Sequence, residues 1–163
     1  MFRVSARPLT LPLLPLLASA LLAFAATGAR AQDTAAPAAD KDGPPFHDYK
    51  GVHIGMTTEE ARKKLGNPSD KGDAQDFYSF NDKESAQLYY DTDHKVFAIA
   101  VTYLGSTGPA PEPKSILGSD ADKKADGSLY KMIRFPKAGC WVSYLRTTGD
   151  APMTIVTLQK LQP

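Results

Sequence analysis

The sequence predicts an α+β fold, with two tandem αβββ units in one compact domain. Three observations carry that prediction. A short helix is written out with both ends at residues 57–66, three aromatic and β-branched runs follow it, and the same plan returns after a proline-rich connector.

The helix is the stretch "GMTTEEARKKLGNP", residues 55–68. Thr57 suits the N-cap, and Glu60 three residues later completes a capping box. Glu59 and Glu60 lie at the positive end of the helix dipole, and Arg62, Lys63 and Lys64 near the negative end. Gly66 is placed to close the helix in the left-handed conformation, and Pro68 prevents its resumption. Only Ala61 and Leu65 face a core, with Met56 ahead of the cap, so so short a helix must be packed against something.

Three strands are expected to supply that support: 76–80, 86–91 and 95–104. The polar segments between them are short enough for hairpins. Alternation in the third places Phe97, Ile99, Val101 and Tyr103 on one face. Ala98, Ala100 and Thr102 form a smaller opposite face, on which a helix could lie closely. The second half repeats the plan: "SILG" (115–118) ends on Leu-Gly as "KKLG" (63–66) does, and strands are expected at 128–135, 140–147 and 152–161. Between "SILG" and the first of these, "SDADKKADG" leaves room for a single helical turn at most, so the second helix is short or absent.

Met1–Ala31 has Arg3 and Arg7, then an apolar run, then a small-x-small site before Gln32, which reads as a secretory signal peptide. Prolines 8, 12 and 15 interrupt the run, which falls short of a membrane span of about 20 residues. No cysteine lies near it, so no lipid anchor and no transmembrane segment after cleavage are expected. Residues 32–46 then form a flexible tether, 47–104 the first unit, 105–114 a Pro-rich connector of extended geometry, and 115–163 the second unit. The expected location is the periplasm or the medium. Of 19 basic residues three lie in the signal, which has no acids, so the mature chain carries 19 − 3 = 16 basic against 18 acidic residues. A balance of −2 provides no basic stripe for nucleic acid. A single cysteine, Cys140, rules out an intramolecular disulfide, so the core must hold the fold. Burial as a small hydrophobe is the expected state of that thiol, with an exposed, oxidisable thiol as the alternative.

"VHIGMTTEEARKKLGNPSD" followed by "LYYDTDHKVFAIAV" resembles the SmpA/OmlA (BamE-like) family of small outer-membrane assembly proteins, at Ile54, Gly55, Met56, Thr57, Glu60, Leu65, Gly66 and Pro68. The tandem αβββ plan is also similar to the β-lactamase inhibitor proteins, which bind another protein with a concave sheet. The resemblance covers roughly residues 51–104 and implies a small envelope module that works by contacting other proteins.

Catalytic vocabulary is sparse. His47, His53 and His94 have no metal-ligand spacing, and "DTDHK" (91–95) lacks the glycine of a calcium loop, so it reads as a hairpin turn. Ser128 and Lys131 match S-x-x-K, but in a strand the two point to opposite faces. No catalytic residue, metal or cofactor is assigned. The surplus is aromatic. Six residues are the candidate binding set, Tyr78, Tyr90, Tyr103, Tyr130, Trp141 and Tyr144, because aromatic side chains with a polar tip anchor interfaces. Trp141, Ser143 and Leu145 share one side of their strand and Tyr144 the other; which side is open is not fixed by the pattern. The leading expectation is a non-enzymatic module that binds an envelope or secreted protein, in assembly or inhibition, through an exposed sheet face. A carrier of a small ligand or lipid between helix and sheet is the alternative, and a hydrolase built from turn carboxylates and histidines the third.

Overall fold

The computed structural model describes residues 43–105 and 110–162, so the signal segment, most of the tether and the middle of the connector lie outside the described residues. A small hairpin, β1 (Asp48–Tyr49) and β2 (Val52–His53), leads into α1 (Thr58–Leu65). Then come β3 (Asp70–Lys71), β4 (Gln75–Asn81), β5 (Glu84–Tyr90) and β6 (Val96–Leu104). After the connector follow α2 (Pro113–Leu117), β7 (Asp122–Lys123), β8 (Leu129–Phe135), β9 (Cys140–Arg146) and β10 (Met153–Lys160). Every pairing is antiparallel, and the eight longer-range strands form one sheet in the order β3-β4-β5-β6-β10-β9-β8-β7. The fold is α+β and mostly sheet. Its two halves meet where β6 pairs β10, from Leu104↔Met153 to Ala98↔Gln159.

The six long strands fall within two residues of the expected ranges at either end. The short pairs β1–β2, β3 and β7 have no expectation in the sequence reading, since two residues are too few for a periodicity to register.

α1 begins as its cap predicts. The Glu60 amide donates to Thr57 Oγ1 and the Thr57 amide donates to Glu60 Oε2, the reciprocal capping box. Gly66 departs from expectation: at φ 84° and ψ −158° it lies in a region open essentially to glycine alone, beyond the left-handed helical one. The helix is stitched to the sheet at its start, where the Thr58 amide and hydroxyl both donate to the His94 carbonyl and the Val96 amide donates to Met56.

α2 starts within the proline-rich connector. Glu112 is its N-cap and Pro113 occupies the first turn, where a missing N–H costs nothing and φ is already set. The extended geometry expected through residue 114 therefore ends at Glu112. Gly118 closes this turn in the left-handed conformation. Pro45 lies against Gly118, the Phe46 amide donates to the Ile116 carbonyl, and Pro44 is buried, so the end of the expected tether is seated beside α2.

Both helices lie on one face of the sheet. The core there gathers Leu88, Ile99, Val101, Val142, Tyr144, Val156 and Leu158, each at most 1% exposed, with Ala61, Ile116 and Leu117 from the helices. Phe97 leaves the face that alternation gave it. The register shift between Tyr89 and Tyr90 makes it the extra residue of a β-bulge, and its ring sits 6.2 Å from that of Tyr89.

Candidate interaction face

The strand registers define which side chains share the opposite face. Reading across β4, β5, β6, β10, β9 and β8, one row is Gln75, Tyr89, Ala98, Gln159, Trp141 and Arg134. The next is Phe77, Gln87, Ala100, Thr157, Ser143 and Met132, and the third Ser79, Ser85, Thr102, Ile155, Leu145 and Tyr130. Of these eighteen positions only Arg134 is charged. The helix-covered face has Asp76, Lys131, Glu84 and Arg146 at equivalent places.

Among the described residues the exposed large apolar side chains are Phe77 (39%), Tyr130 (39%), Met132 (44%) and Leu104 (45%), and all four belong to this open face. A charge-poor surface carrying exposed aromatics and thioethers is the composition of an interface core. Small residues run down its middle: Ala98, Ala100 and Thr102 on β6, beside Gln159 and Thr157 on β10. Bulkier ones stand at the first row, Tyr89 on β5 beside Ala98 and Trp141 on β9 beside Gln159, with Phe97 next to Ala98 on β6 itself. This is the face on which the sequence left room for a helix, yet both described helices cover the other one.

The six candidate aromatics divide accordingly. Trp141 and Tyr130 stand on the open face. Tyr78 (2%), Tyr90 (4%), Tyr103 (8%) and Tyr144 (0%) are buried under the helices and belong to the core instead. Burial is affordable for them because each hydroxyl of Tyr78, Tyr90 and Tyr144 finds a partner. Phe77 and Met132 lie outside the candidate set and stand exposed on the same face; the alternation of "YKMIRF" places Met132 with Tyr130.

Beneath α1 lies a polar cluster that the sequence reading did not anticipate. Asp76 is fully buried on β4. Arg62 donates to it twice, Nε to Oδ2 at 2.8 Å and Nη2 to Oδ1 at 2.9 Å. The hydroxyl of Tyr90 donates at 2.7 Å and that of Tyr78 at 3.4 Å, and the Gly72 amide at 3.2 Å. Burial alone would push this carboxyl up; the Arg62 bonds, the Tyr90 hydroxyl and the Gly72 amide reverse the sign and hold it below its ordinary value. The same desolvation, with the carboxylate beside it, pushes Tyr78 up to about 12. Arg62 also donates from Nη2 to the Gly72 carbonyl. The cluster is saturated and closed, so it fastens α1 to the sheet. Gly72 is required at its bend, where a Cβ would stand 2.8 Å from the Gln75 carbonyl.

The remaining chemistry-bearing residues are dispersed. His47, His53 and His94 are exposed on the β1–β2 hairpin and the β5–β6 turn, and that turn is built by the Asp91 side chain, which accepts from the amides of Asp93 and Lys95. Ser128 Oγ donates to Asp126 at 2.6 Å and Lys131 Nζ to the Asp120 carbonyl at 2.9 Å, so the S-x-x-K pair works apart. Cys140 is buried, as expected, and burial pushes its thiol up. Among the described residues no group of three or more His, Cys, Asp or Glu could hold a metal ion, and no helix is long and apolar enough to cross a membrane. A cleft of about 610 Å³ lined by Tyr90, Asp91, Thr92, Phe97, Lys160, Leu161 and Gln162 lies at the strand ends.

No protein-family model, no curated protein and no solved structure matches this chain.

Proposed function

We propose that this protein is a non-enzymatic envelope module that binds another protein through the open face of its sheet. One observation carries the reading: among the described residues all four exposed large apolar side chains lie on the sheet face that no described helix covers, where Arg134 is the one charge in the eighteen positions of the six long strands and Asp70 and Asp122 stand at the two edges. Apolar surface left in water is costly at roughly 25 cal/mol per Å²; Phe77 on β4 and Tyr130 with Met132 on β8 stand towards opposite sides of that face, so a partner that takes them up spans it. The leader-like residues 1–31 support a periplasmic or secreted location. The Ile54–Pro68 segment supports a likeness to the SmpA/OmlA family, and with it a part in envelope assembly; the similarity of the tandem plan to the β-lactamase inhibitor proteins supports inhibition of a partner as a special case.

The two halves are read here as tandem units. Leu65-Gly66-x-x-x-Asp70-Lys71 and Leu117-Gly118-x-x-x-Asp122-Lys123 repeat the same residues 52 positions apart. Each ends a short helix and opens a two-residue strand that leads into three long ones. The central β6–β10 pair then joins equivalent strands of the two units, and the open face is shared by both.

The test is capture with tagged protein from an envelope extract of the source cells, under mild crosslinking, alongside Trp141→Ala, Met132→Ala and, on the helix side, Lys114→Ala. The reading expects one stoichiometric protein that is lost with the first two variants and retained with the third. Equal capture by all of them contradicts it.

A further inference from the structure

We propose that the free edge of β8 pairs with the same edge of a second copy of this chain, Lys131–Phe135 of each running antiparallel about a two-fold axis at Ile133. The inference stands on the backbone of the sheet edge and is independent of what the open face binds.

Main-chain hydrogen bonding is the first argument. The Lys124 amide donates to the Ser128 carbonyl across the β7–β8 edge. The backbone groups of Ser128, and by alternation those of Tyr130, Met132 and Arg134, therefore point away from β9. Asp122 of β7 lies opposite Tyr130, and among the described residues nothing pairs with β8 on that side beyond it. Met132 and Arg134, both exposed, are left with two amides and two carbonyls facing outward. Such a row is a template for another strand.

The other edge of the sheet is shut at the same place. β3 sets Asp70 opposite Phe77 as β7 sets Asp122 opposite Tyr130. Two residues further along β4, the Ser79 amide donates to Ser69 Oγ at 3.1 Å, and a register shift follows between Ser79 and Asn81. On β8 the residue at that place is Met132, and Ala121 stands where Ser69 stands, with no hydroxyl to offer. β8 runs on in register to Phe135↔Cys140. A capped and bulged edge resists pairing, whereas a regular uncapped one accepts it.

Register selects a second copy as the occupant. A pair centred on Met132 needs the outer groups of Tyr130, which β7 already covers. A pair centred on Arg134 opposes two guanidinium groups and sets Pro136, which has no N–H, against Met132. Centred on Ile133, the pairing has neither fault. Met132 exchanges both hydrogen bonds with Arg134 of the second copy, the two Ile133 side chains meet, and Lys131 lies opposite Phe135. No like charges then face each other, and Ile133 and Phe135, only partly buried in one copy, gain cover.

Proline reads this edge selectively, because an edge strand tolerates it only where the N–H points outward. Arg134→Pro removes an outward amide and is expected to unfold at the wild-type temperature; Ile133→Pro removes an amide turned to β9 and is expected to unfold lower. Sedimentation velocity over a range of concentrations is expected to show a monomer–dimer equilibrium, weakened at least tenfold by Arg134→Pro. Should that variant fail to fold, Ile133→Cys supplies a second measurement. It sets two thiols across a non-hydrogen-bonded pair, with Cβ atoms about 4.5–5.5 Å apart, and a mild thiol oxidant is expected to link the copies. Ser79→Cys on the shut edge is expected to stay unlinked. A monomer at every concentration, a dimer that a folded Arg134→Pro leaves intact, or an Ile133→Cys variant that does not link overturns the proposal. A monomer whose capture of an envelope protein is lost on Arg134→Pro also overturns it, in favour of a partner's strand at this edge. The open-face reading is judged separately, by Trp141→Ala.

Discussion

Replacing Arg62 by methionine tests what holds α1 to the sheet. Asp76 has no solvent exposure and accepts five hydrogen bonds, two of them from the Arg62 guanidinium at 2.8 and 2.9 Å. Methionine keeps the aliphatic packing and removes the cation, leaving a carboxylate in the core with only two hydroxyls and an amide. Breaking a buried pair from one side costs about 3–5 kcal/mol, and the 24% exposure of the Arg62 side chain screens the attraction, so the lower end is expected, about 3 kcal/mol. Asp76→Ala strands two tyrosine hydroxyls and the Gly72 amide at about 1 kcal/mol or more each, again about 3 kcal/mol. The double variant should cost far less than the sum, because both act on one network. In urea, with an m value of about 1.5 kcal/mol/M, either single variant lowers the midpoint by about 2 M at unchanged slope. The pH dependence has a definite sign. The folded carboxyl lies below its unfolded value, so its contribution is present above about pH 3.9 and is lost as the pH falls through the lower folded value. Wild type should therefore lose more stability than Asp76→Asn on acidification below pH 4. An unfolding free energy for Arg62→Met within about 0.5 kcal/mol of wild type would refute the latch.

Three further outcomes follow from the same geometry. Tyr144→Ala should cost about 3–5 kcal/mol, whereas Tyr130→Ala on the open face should stay within about 1 kcal/mol; equilibrium unfolding of the two variants checks the assignment of faces. Thr57→Ala removes the acceptor for the Glu60 amide and should cost about 1 kcal/mol, seen as a lowered thermal midpoint. The Cys140 thiol, buried and pushed up by desolvation, should react with a thiol reagent only at the rate of unfolding, and quickly in denaturant.

Much of the scaffold was legible because it is written in local signals. The cap Thr57–Glu60, the stop at Gly66 and Pro68, and the six aromatic or β-branched runs each depend on neighbours a few residues away. Non-local choices were not legible. Alternation divided Val142 and Tyr144 from Trp141 and Ser143 correctly, but the side the helices cover is decided by which set makes the larger core, a property of several strands at once. Four of the candidate tyrosines fell to the core for that reason. Phe97 changed sides through a bulge, which shifts alternation by one with no mark in composition. Asp76 did carry a mark, an acid in phase with the inward Tyr78, but its partner Arg62 lies 14 residues earlier on a helix whose basic end had an explanation of its own in the dipole. Pro113 misled in the other direction, since proline suits the first turn of a helix as well as an extended connector.

The most direct test of the open-face account is site-specific photocrosslinking in living cells. A photoreactive residue is placed at Met132 on the open face or at Lys114 on the helix side, and the adducts are resolved by mass. The account predicts a discrete protein adduct from position 132 and none of that mass from 114. An adduct from position 114 alone, or the same adduct from both, would contradict it.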